Sequence, residues 1–290
     1  MKRLQTTPLD DPAIDGLGPS QDRSRVVALS NQKGGVGKTT TAINLSAALA
    51  SRGQKVLLVD MDPQGNASSG LGCRRQDATM GVYDVLMDYR DLDSVRVPTS
   101  VDGLELIPAT RDLAGAALEL AEEKNRERRL RRALARVREG YDWVFIDCPP
   151  TLNLLTVNAL VAADSVLIPL QAEYYAMEGL GELLRTVNAV RKSLNPDLER
   201  EGILITMTDP RTNLCRDVEA QARHLFHEEV FEAVIPRNVR LGEAPSHGQA
   251  IVHYDPTSTG ARAHLALADE LISRRSRGMR GQSGRRKEAV

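Results

Sequence analysis

One stretch of the chain narrows the possible folds more than any other. Residues 25 to 41 read Arg-Val-Val-Ala-Leu-Ser-Asn-Gln-Lys-Gly-Gly-Val-Gly-Lys-Thr-Thr-Thr. An apolar run, Val26 to Leu29, breaks into glycines at Gly34, Gly35 and Gly37, and Ile43, Leu45, Ala48 and Leu49 then recur at helical spacing. A strand, a glycine-rich turn and a helix in that order are the setting of a phosphate-binding loop. Glycines let backbone N–H groups turn inward around an anion, and the new helix adds its positive N-terminal end. Lys38 is placed to reach the β- and γ-phosphates, and the Thr39 hydroxyl to ligate Mg²⁺. The common form of the loop opens with a glycine where this chain has Gln32, and an additional lysine, Lys33, stands at the start of the turn.

Two further strands end in carboxylates. Lys55-Val-Leu-Leu-Val-Asp60 is continuously apolar before its acid, as expected of a buried parallel strand. Ligands of open α/β sheets sit at the carboxyl ends of strands, so Asp60 points toward the phosphates. The loop after it places Asp62 two residues on, where an acid suits water positioning or the surroundings of a metal; capping of the next helix is the competing reading. The second strand, Gly140 to Asp147, is followed by Cys148-Pro149-Pro150 and fits a Walker B strand with Asp147 holding the Mg²⁺ shell.

These residues carry a family resemblance. Lys33 to Thr39, in the pattern K-G-G-x-G-K-[ST], resembles the deviant Walker A loop of the ParA/Soj, MinD and nitrogenase-iron-protein ATPases. That resemblance implies ATP and Mg²⁺ bound at Lys33, Gly34, Gly35, Val36, Gly37, Lys38, Thr39 and Thr40, with Lys33 crossing a dimer interface to the partner's nucleotide. Asp60 to Asn66, D-x-D-P-Q-G-N, is similar to the ParA/Soj switch I stretch; by that likeness Asp62 orients the attacking water and Asp60 supports the metal shell. The stretches 206–213 and 235–256 look like the matching parts of chromosomal ParA/Soj proteins. They imply Pro236 and Asn238 at the adenine base, and Arg211 and Arg240 on a patch contacting the DNA backbone. Arginine suits such contact through its fixed charge and planar fork. Cys148 invites comparison with the cluster cysteines of the iron protein, but a cluster needs several thiolates, and Cys148 reads as a small buried residue.

The resemblance spans about residues 25 to 273. Alternating strand and helix patterns over this range predict one doubly wound α/β domain, a mostly parallel sheet with helices on both faces. Helices are expected at 80–88, 111–139, 152–163, 176–193 and 209–228, and strands at 104–107, 165–170, 203–208 and 230–235. The charged 111–139 pattern reads as a solvated face of i,i+4 pairs, with a DNA-facing surface as the alternative. Residues 1 to 24 and the arginine-rich 274 to 290 read as disordered tails. The net charge of −1 confines any nucleic-acid site to a local patch. Three scattered cysteines, Cys73, Cys148 and Cys215, argue against disulfides or zinc. With no secretory signal and no long apolar stretch, a reducing cytoplasmic setting is expected.

The expectation is therefore an ATPase of the ParA/Soj type, nucleoid-associated, that closes into a homodimer around ATP and then binds DNA without sequence preference. A ParB/Spo0J-like partner would stimulate its hydrolysis, driving chromosome or plasmid partition. The alternatives are a MinD-like positioning ATPase, whose amphipathic membrane helix the C-terminal segment does not match, a metabolic enzyme such as an amidoligase or iron-protein reductase, and a DNA scaffold with structural ATP.

Overall fold

The computed structural model describes residues 24–74 and 77–287, with side chains through Arg277. Eight strands form one sheet in the order β3-β4-β2-β5-β1-β6-β7-β8. They are β1 (Arg25–Leu29), β2 (Val56–Asp60), β3 (Val97–Pro98), β4 (Leu104–Ile107), β5 (Trp143–Asp147), β6 (Ser165–Gln171), β7 (Glu199–Thr208) and β8 (Ile235–Pro236). All neighbours run parallel except β3 and β4 at one edge.

Side-chain alternation along each strand feeds two cores. Val26, Ala28, Leu57, Val59, Val144 and Ile146 enter one layer, while Val27, Leu29, Val56, Leu58, Trp143 and Phe145 enter the other. The second layer is covered by α1 (Lys38–Ala50), α2 (Asn66–Gly70), α10 (Val239–Glu243), α11 (Ile251–Tyr254) and α12 (Thr259–Lys287). The first is covered by α3 (Val82–Leu86), α4 (Leu92–Val95), α5 (Leu113–Glu119), α6 (Arg129–Leu134), α7 (Leu154–Ala162), α8 (Ala176–Ser193) and α9 (Asn213–Phe226). Central strands buried on both faces explain their unbroken apolar sequences. The doubly wound, mostly parallel sheet is as expected.

Several expectations need correction. The charged stretch 111–139 is not one helix: α5 and α6 are separated by a turn in which Asn125 is left-handed at φ 55°, and short 3₁₀ turns flank α6. Residues 230–235 yield only the two-residue β8, with Val230 forming an isolated bridge to Ile203. The basic segment from 274 is not a tail at its start, because α12 runs on through Lys287. Arg274 lies 4.2 Å from the Phe231 ring centroid and Arg275 4.9 Å from that of Trp143, so both are cation–π partners of core aromatics. Ser24, assigned to the N-terminal tail, is buried and its carbonyl accepts from Arg138; the rest of that expected tail lies outside the described residues.

Candidate nucleotide-binding site

The glycine loop joins β1 to α1 at the carboxyl edge of the sheet. Gly35 (φ 77°) and Gly37 (φ 88°) are left-handed, a conformation that side chains at these positions would strain. At Gly34 and Gly35 a Cβ would meet nothing within 4 Å, so the loop's surface is open for a ligand to approach closely. Neighbouring strands hold its shape. Asn31 donates its side-chain amide to the Pro169 carbonyl at 2.7 Å and accepts from the Lys33 N–H at 3.0 Å. The Thr206 hydroxyl donates to the Val36 carbonyl at 2.8 Å. Lys38 is buried at the first position of α1 and donates to the Lys33 carbonyl at 3.0 Å. Burial lowers the Lys38 pKa, and the nearby Asp147 carboxylate opposes that shift. Thr39 and Thr40 follow on the first turn of α1, half-buried.

Asp60 and Asp147 are register partners at the ends of β2 and β5, and both carboxyls are fully buried. Asp60 is saturated. One oxygen accepts from the Ser68 N–H at 2.8 Å and its hydroxyl at 2.6 Å, and the other from the Asp62 N–H at 3.2 Å. Burial still outweighs these donors and pushes Asp60 up to about 6. Asp147 has no hydrogen-bond partner on either oxygen among the described residues. Burial first, and then the Asp60 charge, raise its pKa well above the carboxylate range, while the nearby Thr39 hydroxyl and Lys38 work the other way. A buried carboxylate with both oxygens unsatisfied, beside a threonine hydroxyl and under a glycine loop, is the donor set a Mg²⁺–nucleotide needs. Asp147 and Thr39 therefore fit the metal. Asp60, expected to support the metal shell, holds α2 and the turn that carries Asp62 through these hydrogen bonds.

Asp62 is nearly buried, and one of its oxygens accepts from the Gln64 N–H at 2.9 Å, closing a turn. The N-cap of α2 is the left-handed Gly65, so capping does not account for Asp62. Its charge acts on Lys38, Asp147 and Cys148. Cys148 is buried with its thiol pushed up by burial, as an inert core residue should be. Among the described residues no group of three or more His, Cys, Asp or Glu is arranged to hold a metal ion by itself.

Lys33 makes an ion pair with Glu173 of its own chain, on the loop between β6 and α8. Tyr174 and Tyr175, next along that loop, are exposed. Pro236 pairs with Thr208 at the sheet's far edge. Asn238 uses its carbonyl oxygen to cap α10, accepting from the Arg240 N–H at 2.8 Å, and donates its amide to the Thr259 hydroxyl at 2.6 Å. Arg211 is exposed but clamped by Asp209 through Nε at 2.9 Å and Nη2 at 2.7 Å, which holds Asp209 down at about 2. Arg240 is paired with Glu243 at 2.8 Å and lies 3.5 Å from Asp255. Arg237, exposed and near Asp209, also acts on that carboxylate. The contributions of Ser68, Glu173 and Thr206 were not read from the sequence, because each partner lies far along the chain or has no motif spacing.

A family model described as an AAA domain matches residues 24–200. The chain is 56% identical over 249 residues to the sporulation initiation inhibitor protein Soj of Bacillus subtilis, covering 86% of this chain and 98% of that protein. It is 54% identical over 250 residues to the chromosome partitioning protein ParA of Myxococcus xanthus, covering 86% and 88% respectively. Among solved structures, that of cobyrinic acid a,c-diamide synthase from Mycobacterium smegmatis, with bound ATP analogue and magnesium, is similar with a TM-score of 0.75 and 40% identity, covering 86% of this chain and 94% of the other. No helix among the described residues is long and apolar enough to cross a membrane. The glycine loop, the paired strand-end carboxylates and these similarities together place the chain in the ParA/Soj family of chromosome-partitioning ATPases.

Proposed function

We propose that this protein binds Mg²⁺–ATP at the glycine loop, closes into a homodimer around two nucleotides, and in that form binds DNA non-specifically to drive partition of a chromosome or plasmid. The observation that carries the reading is the pair of strand-end carboxylates: Asp147 is buried and unsatisfied beside Thr39 and Lys38, whereas Asp60 is fully engaged. Mg²⁺ would be held by Thr39 and Asp147 and would supply charge neutralisation at the phosphates. The loop N–H groups and Lys38 hold the phosphates, Thr39 and Asp147 supply metal ligands, and Asp62 orients the attacking water. Lys33 leaves Glu173 and reaches the nucleotide of the facing subunit. Pro236 and Asn238 flank the base. Dimer closure aligns Arg211 and Arg240 of both subunits, so that DNA affinity rises by bivalency. A ParB/Spo0J-like partner completes the ordering of the site and releases the dimer. The protein works in the cytoplasm on the nucleoid.

The M. smegmatis structure, 40% identical, is a metabolic synthase, and small-acid-dependent ATP turnover would favour that reading. The higher identity to the chromosome partitioning protein ParA of M. xanthus, 54%, favours partition. DNA binding measured with ATP, ADP and no nucleotide over a range of salt tests the proposal. Tight binding with a steep salt slope is expected only with ATP; equal binding in all three states would overturn it.

A further inference from the structure

The phosphate loop is shaped from outside its own motif. The Val36 carbonyl, inside the loop, accepts the Thr206 hydroxyl at 2.8 Å across 170 positions of sequence. Thr206 is 2% exposed, near the carboxyl end of β7. A trans peptide is planar and sets its C=O and N–H on opposite sides. No cis peptide occurs among the described residues. Tying the Val36 carbonyl to β7 therefore turns the Gly37 N–H of the same peptide away from Thr206. A Cβ at Gly37 would lie 3.8 Å from the Thr206 side chain, an ordinary contact, so it is the left-handed φ of 88° rather than space that demands glycine here. That φ and the anchored carbonyl belong to one arrangement of the Val36–Gly37 peptide.

Thr206 is itself fixed. Its carbonyl accepts from the Ala172 N–H at 3.3 Å, where the chain leaves β6 toward Glu173. The next residue, Met207, is left-handed at φ 53° where the register between β7 and β8 shifts. A non-glycine residue in that region is uncommon and is held there by its surroundings. The backbone twist at Met207 belongs to the same junction that delivers the Thr206 hydroxyl to the loop.

We propose that Thr206 is a positioning residue of the nucleotide site, acting through the Val36–Gly37 peptide to present the Gly37 N–H to the phosphates. It would touch no nucleotide itself. The loop's affinity for phosphate would then depend on a side chain that no phosphate-loop pattern includes.

The test uses the full-length protein and two probes, pyrophosphate and Mg²⁺–ATP, titrated by calorimetry, with thermal melting of the nucleotide-free protein alongside. Thr206→Val keeps the shape and removes the donor, and should weaken both probes about tenfold. Thr206→Ser restores the donor and should bind within about threefold of wild type. A purely structural role would lower the melting temperature of Thr206→Val and leave pyrophosphate affinity intact; that result, or an equal loss in Thr206→Ser, overturns the proposal. If Thr206→Val fails to fold, the amide resonances of the wild-type loop decide. The Gly37 amide should be among the most shifted by pyrophosphate, and a Gly37 signal that stays still while its neighbours move would refute the assignment.

Discussion

The ends of β2 and β5 present the same residue type at the same register, one strand apart, and use it in opposite ways. At the end of β2, Asp60 is consumed by the protein: Ser68 gives it two hydrogen bonds and Asp62 a third. At the end of β5, Asp147 receives none among the described residues. Burial disfavours ionisation of both; the Asp60 charge further raises the Asp147 pKa, and the Asp62 charge that of Asp60. The difference teaches that a carboxylate at a strand end is not a ligand by position alone. What marks a ligand is a desolvation cost that internal partners, here Thr39 and Lys38, leave only partly compensated, and that a cation then offsets.

Substituting each member of the pair should give opposite signatures. Asp147→Asn should lose the Mg²⁺-dependent part of ATP turnover, about 100-fold or more, since a metal's charge stabilisation is worth several kcal/mol. Its nucleotide-free melting temperature should fall less than that of Asp60→Asn, or rise. Steady-state turnover across a Mg²⁺ titration reads the first effect and calorimetric melting the second. The contrast fails if Asp60→Asn proves to be the variant that loses Mg²⁺ dependence.

Asp62 sharpens the comparison, because Asp60 holds its backbone and Gln64 holds one of its oxygens. Asp62→Ala should reduce turnover about 100-fold, within the span of general-base effects, while Mg²⁺–ATP affinity stays within a few-fold. Single-turnover hydrolysis with equilibrium binding measures both; normal turnover would remove the assigned role.

Asp60→Asn should act on stability more than on binding. An amide in that position turns an N–H toward one of the donors that now serve Asp60, and unmade buried hydrogen bonds cost about 1–3 kcal/mol each. Chemical denaturation should show a loss of that size, with α2 and the Asp62 turn exchanging amide protons faster.

The pH dependence follows from the same two groups, with smaller amplitude. Both folded-state pKa values lie above the ordinary value of 3.8, Asp60 at about 6 and Asp147 raised well above that ordinary value by burial. A group whose pKa is raised on folding stabilises most when protonated, so this contribution is present below about pH 4 and is lost as pH rises through about 6 and beyond. Denaturation of nucleotide-free wild type and Asp147→Asn between pH 4 and 8 should therefore converge in acid and part toward neutrality. Parallel curves would mean that Asp147 has found a partner after all.

How much of this was written in the sequence depends on how local the signal was. The loop from Lys33 to Thr39 and the acids closing β2 and β5 were legible, because strand, turn and helix follow one another within a few residues. The expected helix at 176–193 was also legible, with Leu180, Leu183, Val187 and Val190 buried on one face. The 111–139 stretch misled because charged helix formers continue through the break, and only the left-handed Asn125 marks the turn. The basic C-terminal segment misled because the rings that hold Arg274 and Arg275, Phe231 and Trp143, are supplied from distant strands and loops. Whether Asp60 or Asp147 was the saturated acid was not legible at all: Ser68 lies eight positions past Asp60 and carries no motif.

The smallest expected effect lies at the opposite end of the comparison, on the exposed arginines. Unlike Asp147, Arg211 is satisfied internally, clamped by Asp209, and Arg240 is paired with Glu243. Solvent-exposed pairs of this kind are worth about 0–1 kcal/mol, so a DNA phosphate can displace the carboxylate at little cost. Removing either arginine should weaken ATP-dependent DNA binding uniformly across sequences and flatten the salt slope by about one phosphate contact per site lost. Glutamate in place of Arg211 adds repulsion, and should do more harm than alanine while leaving ATP-dependent dimerisation intact. Asp209→Asn reverses the sign: it frees the Arg211 fork and should raise DNA affinity a few-fold at low salt, with the gain fading as salt rises. Fluorescence anisotropy on two unrelated duplexes at several salt concentrations reads all three variants. If Arg211→Ala leaves the salt slope unchanged and Asp209→Asn gains nothing, Arg211 is a surface ion pair and the phosphate contacts belong to other cations such as Arg237.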